Sequence, residues 1–195
     1  MDRRTHYLQV ALDLFAVHGF HGVSIDQLVA AAGGSKATLY RYFSSKEELF
    51  EAIIADLTET TVAERSVDEL ADLRLEEGLR AIGHATARAA LSEQATVLFR
   101  LAVGEYVRFP ELARAMFERG PAVSYSRLRD FIAGRVAAGE IHVDDPQIAA
   151  EQFLGGIVGH LQLRRALGQT PTDPSQITAR VEAGVKTFLA AHRAH

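Results

Sequence analysis

Two adjacent glycines, Gly33 and Gly34, separate two short stretches of helical periodicity, and no other feature restricts the fold of this chain as much. Ahead of them Ser24 is placed to N-cap a helix, with Gln27 completing a capping box and Leu28 and Ala31 forming an inward face. Behind them Ser35 can cap a second helix of barely two turns. In it Leu39 and Phe43 share one stripe, while Lys36, Ala37, Tyr40 and Arg41 are left facing outward. Ser45 and Glu48 form a further capping box, opening a helix to about residue 62 in which Leu49, Phe50, Ile53, Ile54 and Leu57 recur at helical steps. A first helix over about 3–17, with Tyr7, Val10, Ala11, Leu14 and Phe15 inward and Gly19 as its stop, supplies the floor beneath the pair.

A helix pair joined by a glycine turn, with a polar and aromatic outer face on its second member, is the helix-turn-helix arrangement. Its second helix can enter a major groove, and helix N-termini offer free N–H groups to phosphates. The expected partner is therefore double-stranded DNA. Arg41 can donate two hydrogen bonds to a guanine edge, and Tyr40 and Tyr42 can reach phosphates or a thymine methyl. Ser35 and Thr38 can bond the DNA backbone, Lys46 adds a cation in the first turn of the next helix, and Ser24 and Ala37 complete the expected contact set. Arg3 and Arg4 either touch phosphate or form a solvated terminus.

Charge distribution agrees with a compact footprint. The chain has a net charge of −4, with five basic and five acidic residues in 1–50 and 16 basic against 20 acidic in 51–195. DNA would repel the second part, so the balance orients the molecule. An apolar fraction of 48% in 195 residues is ample for a buried core. With no cysteine, disulfide frameworks and thiolate metal sites are excluded. His18 and His21 flank a glycine without a third ligand nearby, so no metal and no cofactor is expected. No stretch is long and apolar enough to span a bilayer, and the N-terminus lacks a secretory pattern, so the expectation is a cytoplasmic protein without a membrane partner.

The run Thr38-Leu39-Tyr40-Arg41-Tyr42-Phe43, followed by Ser45-Lys46-Glu47-Glu48-Leu49 and preceded by Ala31-Ala32-Gly33 and Ser35, resembles the DNA-binding domain of the TetR family of bacterial repressors over about residues 7–50. Gly34 and Asp26 depart from the family's usual apolar and basic residues. Further on, Arg108-Phe109-Pro110-Glu111-Leu112, Gly139-Glu140-Ile141 and Asp144-Asp145-Pro146 are similar to that family's regulatory domain. The resemblance implies a ligand cavity and a dimer interface in the C-terminal part.

From Ser66 the punctuation predicts helices over about 66–91, 92–109, 110–120, 121–138, 147–167 and 175–192, with Asp145-Pro146 and Asp173-Pro174 repeating one start signal. The expectation is an all-α chain of nine or ten helices: a three-helix helix-turn-helix domain over 1–50 and a helical regulatory, ligand-binding and dimerisation domain over 51–195. Leu98, Phe99, Val103, Tyr106, Tyr125 and Leu128 are candidates to line a pocket for a mostly apolar effector. Arg100, Glu105 and Arg108 either read a ligand or form internal pairs, and His84 and His160 have the pattern of packing residues. Three glycines in five residues, Gly155, Gly156 and Gly159, need a reason in a helix, since each costs about 1 kcal/mol relative to alanine. Close approach of a symmetry-related copy is one, and packing within the subunit is the other.

No GxSxG elbow, phosphate loop, HExxH or paired Glu-x-x-His pattern is present. The reading is a homodimeric, sequence-specific DNA-binding regulator, expected to be a repressor released from its operator by a small molecule. The alternatives are an activator without small ligand, and a helical binding protein or enzyme whose DNA-binding head is a vestige.

Overall fold

Helix starts in this chain are set by short polar caps and by prolines, and the computed structural model shows them at nearly every boundary. It describes residues 2–62, 72–169 and 173–192, with the helical backbone alone for 58–62. In chain order the helices are α1 (Arg3–Gly22), α2 (Ile25–Ala32), α3 (Lys36–Tyr40), α4 (Lys46–Val62), α5 (Leu75–Ala90), α6 (Glu93–Gly104), α7 (Pro110–Arg119), α8 (Pro121–Ala137), α9 (Pro146–Ala166) and α10 (Pro174–His192). The fold is all-α, with ten helices among the described residues.

Asp145 Oδ1 accepts from the amides of Gln147 and Ile148, and Asp173 Oδ1 accepts from the amide of Ser175, so both Asp-Pro signals cap as expected. The expected helix over 66–91 differs. Residues 72–74 are not helical and α5 starts only at Leu75, while the proposed cap at 66–69 lies outside the described residues. Helix α1 continues in name to Gly22, but Gly19 has φ 71° and ψ 167°, a break that only glycine adopts readily; the regular helix ends where expected and a single extra turn follows.

Contacts divide the chain into two units, Met1–Thr58 with Glu93–Gly120, and Glu59–Ser92 with Pro121–His195. This grouping differs from the expected division at 50/51, because α6 and α7 fall with the first unit. Helices α6 and α7 bury Leu98, Ala102, Leu112, Ala115 and Met116 in the same cluster as Tyr7, Phe15, Phe20, Leu28, Leu39 and Phe50. Each large side chain so buried contributes about 1.5–3 kcal/mol, which fixes their allegiance to the first unit. Aromatic contacts tighten this cluster: the Phe20 ring lies 5.8 Å from Phe50 and 5.1 Å from Phe109, both edge-on.

The second unit is built from α5, α8, α9 and α10 around Leu79, Leu128, Ile132, Leu154, Ile157 and Val181. Here the glycine that permits close approach is Gly78 on α5, where a Cβ would stand 2.1 Å from Phe131 Cζ. Among the described residues nothing lies within 4 Å of a Cβ placed on Gly155, Gly156 or Gly159, so no packing partner inside the subunit is found for them there. They share a stripe of α9 with the exposed Ile148 and Leu163.

Candidate nucleic-acid interface

Helices α2 and α3 are held by the caps that their sequence implies. The Ser24 side chain accepts from the Gln27 amide and the Gln27 side chain accepts from the Ser24 amide at 2.8 Å, a complete capping box. Ser35 Oγ accepts from the Thr38 amide at 3.2 Å and shares a hydrogen bond with the Thr38 hydroxyl at 3.0 Å. Inside, α2 is anchored by Leu28 and Ala32; Ala31, expected inward, is exposed because the face turns one position further along. Leu39 and Phe43 anchor α3 and the turn after it.

The glycine turn is strapped from below by α1. Arg3 Nη2 donates to the Gly33 carbonyl oxygen at 2.7 Å, the Tyr7 hydroxyl donates to the same oxygen at 3.4 Å, and a His6 ring nitrogen lies 3.1 Å from the Ala32 carbonyl oxygen. Gly34 has φ 105°, and a Cβ there would meet Arg3 Nη2 at 2.5 Å and the Tyr7 hydroxyl at 3.0 Å. The departure of Gly34 from the family's apolar residue thus accompanies Arg3 and Tyr7 lying across the turn.

The outward set is presented unevenly. Ser24, Ser35, Lys36, Ala37, Tyr40 and Arg41 are exposed, and Thr38 is half-buried. Tyr42 is half-buried, its ring 6.2 Å from Tyr7 and 6.3 Å from Phe43. Arg41 is exposed, with its guanidinium 5.7 Å from the Tyr42 ring centroid, within the range of a cation–π contact. Lys36 instead pairs with Asp26 across the turn at 2.8 Å, and that carboxylate raises the ammonium's pKa above the ordinary lysine value.

Lys46 departs furthest from its expected role. Its ammonium donates to the carbonyl oxygens of Phe20 at 2.7 Å and Val23 at 2.8 Å and sits 4.4 Å from the Phe20 ring centroid. Burial lowers its pKa below the ordinary lysine value. At the same helix start, Glu48 folds back on Ser44 rather than on Ser45; Ser45 Oγ still caps the Glu48 amide, so the reciprocal half of the box is displaced by one residue. The Ser44 hydrogen bonds hold the Glu48 carboxyl below its usual range. Arg4 lies 3.8 Å from Asp56. Sequence reasoning missed the Asp26–Lys36 pair and the anchoring of Lys46, since neither follows from helical spacing.

The six residues expected to line one pocket are not brought together in either unit. Leu98 and Phe99 belong to the core of the first unit, Tyr125 and Leu128 to that of the second, and Val103 and Tyr106 are exposed on the first. Helical periodicity marks a residue as buried without saying which core receives it. Two adjoining cavities do open in the second unit. One of about 290 Å³ is lined by Arg80, Glu182 and Lys186 among others, and one of about 510 Å³ by Arg74, Arg135 and Glu140; they share Glu76 and Leu189. Among the described residues no group of three or more His, Cys, Asp or Glu could hold a metal ion, and no helix is long and apolar enough to cross a membrane.

The chain is similar to known proteins over its whole length. Residues 8–53 match the family of bacterial regulatory proteins of the tetR type, and residues 77–194 match the AefR-like transcriptional repressor C-terminal domain. The solved structure of the flavonoid-responsive regulator FrrA is 35% identical, covers 99% of this chain and 98% of its own, and superposes with a TM-score of 0.80. The transcriptional repressor AcnR of Corynebacterium glutamicum is 24% identical over 95% of this chain and 93% of its own. The regulator RutR of Escherichia coli is 41% identical over 56 residues, so this chain matches only 26% of that protein's length.

Proposed function

This chain belongs to the TetR family of transcriptional regulators, and from that premise we propose that it is a sequence-specific DNA-binding repressor, homodimeric, that leaves its operator when a small molecule binds. The observation that carries the reading is the exposed face of α3, where Ser35, Ala37, Tyr40 and Arg41 stand clear of the core on a capped helix pair. Arg41 supplies a bidentate donor for a guanine edge, and the α2 and α3 N-termini with Ser24, Ser35 and Thr38 supply neutral donors for phosphates. A vestigial head has no need of such a face, which favours the regulator over the binding-protein or enzyme alternative.

Two half-sites need two recognition helices about 34–36 Å apart or a multiple of that, which a two-fold dimer supplies. The open glycine stripe on α9, flanked by Ile148 and Leu163, favours this helix as part of the dimer contact. Regulation by a mostly apolar effector is supported by the similarity to FrrA, whose name describes it as flavonoid-responsive. Helix α4 starts in the first unit and ends among the residues of the second, so its backbone is a direct connection for a signal. A hundredfold loss of operator affinity needs about 2.7 kcal/mol of coupling, and operator must weaken effector binding by the same factor.

The test is a titration of the purified chain, by fluorescence anisotropy, onto a duplex selected from a random pool, repeated with a flavonoid panel. The reading expects one palindromic sequence to be bound far more tightly than scrambled DNA, and at least one compound to release it. Equal binding to selected and scrambled duplexes would overturn the operator reading; tight binding that no compound relieves would overturn the effector.

A further inference from the structure

Beyond the break at Gly19, residues 20–23 form the short link that delivers Ser24 and the N-terminus of α2, and this link is gripped from two sides. On one side the Lys46 ammonium donates to the Phe20 and Val23 carbonyl oxygens at 2.7 and 2.8 Å. On the other, the Glu105 carboxylate accepts from the His21 amide at 3.1 Å, and it lies 3.5 Å from where a Cβ on Gly19 would stand. Phe20 fills the space between, its ring under Lys46 and edge-on to Phe109. The signs are complementary: carbonyls at a helix C-terminus attract the cation, and an amide freed by the break attracts the anion.

We propose that Lys46 and Glu105 are positioning residues for DNA recognition, a two-sided polar clamp on residues 20–23 that sets where the phosphate-facing N-terminus of α2 stands. The inference rests on the reading of α2 and α3 as the DNA face. It gives Lys46 a different part from that of a phosphate contact, because two of the ammonium's three N–H groups are turned inward on the protein's own carbonyls. It also gives α6 and the turn after it, which carry Glu105, a direct hold on the reading head inside one unit. Val23 is the pivot, since its carbonyl is clamped and its neighbour Ser24 is the cap of α2.

The experiment compares the full-length wild type with Lys46→Met and Glu105→Gln, using a duplex selected by the wild type and a scrambled one of equal length. Each variant is expected to bind the selected duplex about tenfold or more weakly, because a hydrogen bond to a charged group is lost. Its plot of log affinity against log salt should keep the wild-type slope. A phosphate contact at Lys46 would instead flatten that slope by about 0.9, and such a flattening would overturn the clamp. Hydrogen exchange on the free proteins is the second readout. The clamp expects faster exchange of the amides of residues 21–27 in both variants, with the cores of both units unchanged; unaltered exchange there would overturn it whatever the DNA result. A wild type that prefers no duplex would overturn the DNA reading itself, a failure distinct from one confined to the variants.

Discussion

The Lys36 ammonium is held 2.8 Å from the Asp26 carboxylate, on the face of the reading head that α3 presents to solvent. Both groups are more than half exposed, so the pair contributes little to stability, while it neutralises one of the few cations available to a phosphate backbone. Replacing Asp26 with Asn should strengthen binding to duplexes of any sequence and steepen the salt dependence by about 0.9 in log–log slope as Lys36 is released. Anisotropy titrations at three or four salt concentrations decide this. An unchanged slope would mean that Lys36 does not reach phosphate even when free.

The turn between α2 and α3 makes a prediction about stability. Gly33 has φ 69° and ψ 158°, a conformation essentially confined to glycine, yet nothing lies within 4 Å of a Cβ placed there. Gly33→Ala should therefore destabilise the first unit by about 1–3 kcal/mol through backbone strain alone. Chemical denaturation followed by circular dichroism measures it, and a loss below about 0.5 kcal/mol would show that the turn relaxes at no cost.

Much of this architecture was legible in the sequence, for a local reason. The Ser24–Gln27 box, the Ser35 cap and the two Asp-Pro starts are contacts between residues a few positions apart, so spacing alone announces them. The features that escaped are long-range. Lys46 meets Phe20 across 26 positions and Glu105 meets His21 across 84, and no periodicity encodes such meetings. For the same reason the sequence does not reveal that α6 and α7 share a core with the N-terminal helices: an amphipathic stripe states that a face is buried and not what buries it. The glycine cluster on α9 is ambiguous in the sequence because spacing does not report the space around a helix.

That open space separates two effects of one substitution. Gly156→Leu should leave the second unit at least as stable as before, since leucine is the better helix former by nearly 1 kcal/mol and its Cβ meets nothing. If α9 forms the dimer contact, the same change should weaken self-association markedly. Sedimentation equilibrium alongside thermal melts reads both quantities; a variant that dimerises like the wild type would move the interface elsewhere.

Acid sensitivity should reside partly between α5 and α10. Arg80 donates to Glu182 at 2.8 Å and holds that carboxyl below its usual range. A lowered folded value means that the pair stabilises the unit above the ordinary glutamate value of about 4.3 and loses that contribution as the pH falls through the lower one. The stability difference between wild type and Glu182→Gln should thus be present at neutral pH and shrink below about pH 4. The effect is small because both partners are partly exposed. A difference independent of pH would contradict the assignment.

Arg41, exposed just after α3 with its guanidinium 5.7 Å from the Tyr42 ring centroid, is the residue placed to read a base edge in duplex DNA. The most direct measurement is selection of genomic fragments by the wild type and by Arg41→Ala, each recovered duplex then being titrated with both proteins. The wild type should enrich a palindromic sequence, and Arg41→Ala should bind it about 1–3 kcal/mol more weakly and discriminate less well at one base pair of each half-site. Enrichment of the same sequence by both proteins, with equal affinity and equal selectivity, would contradict it.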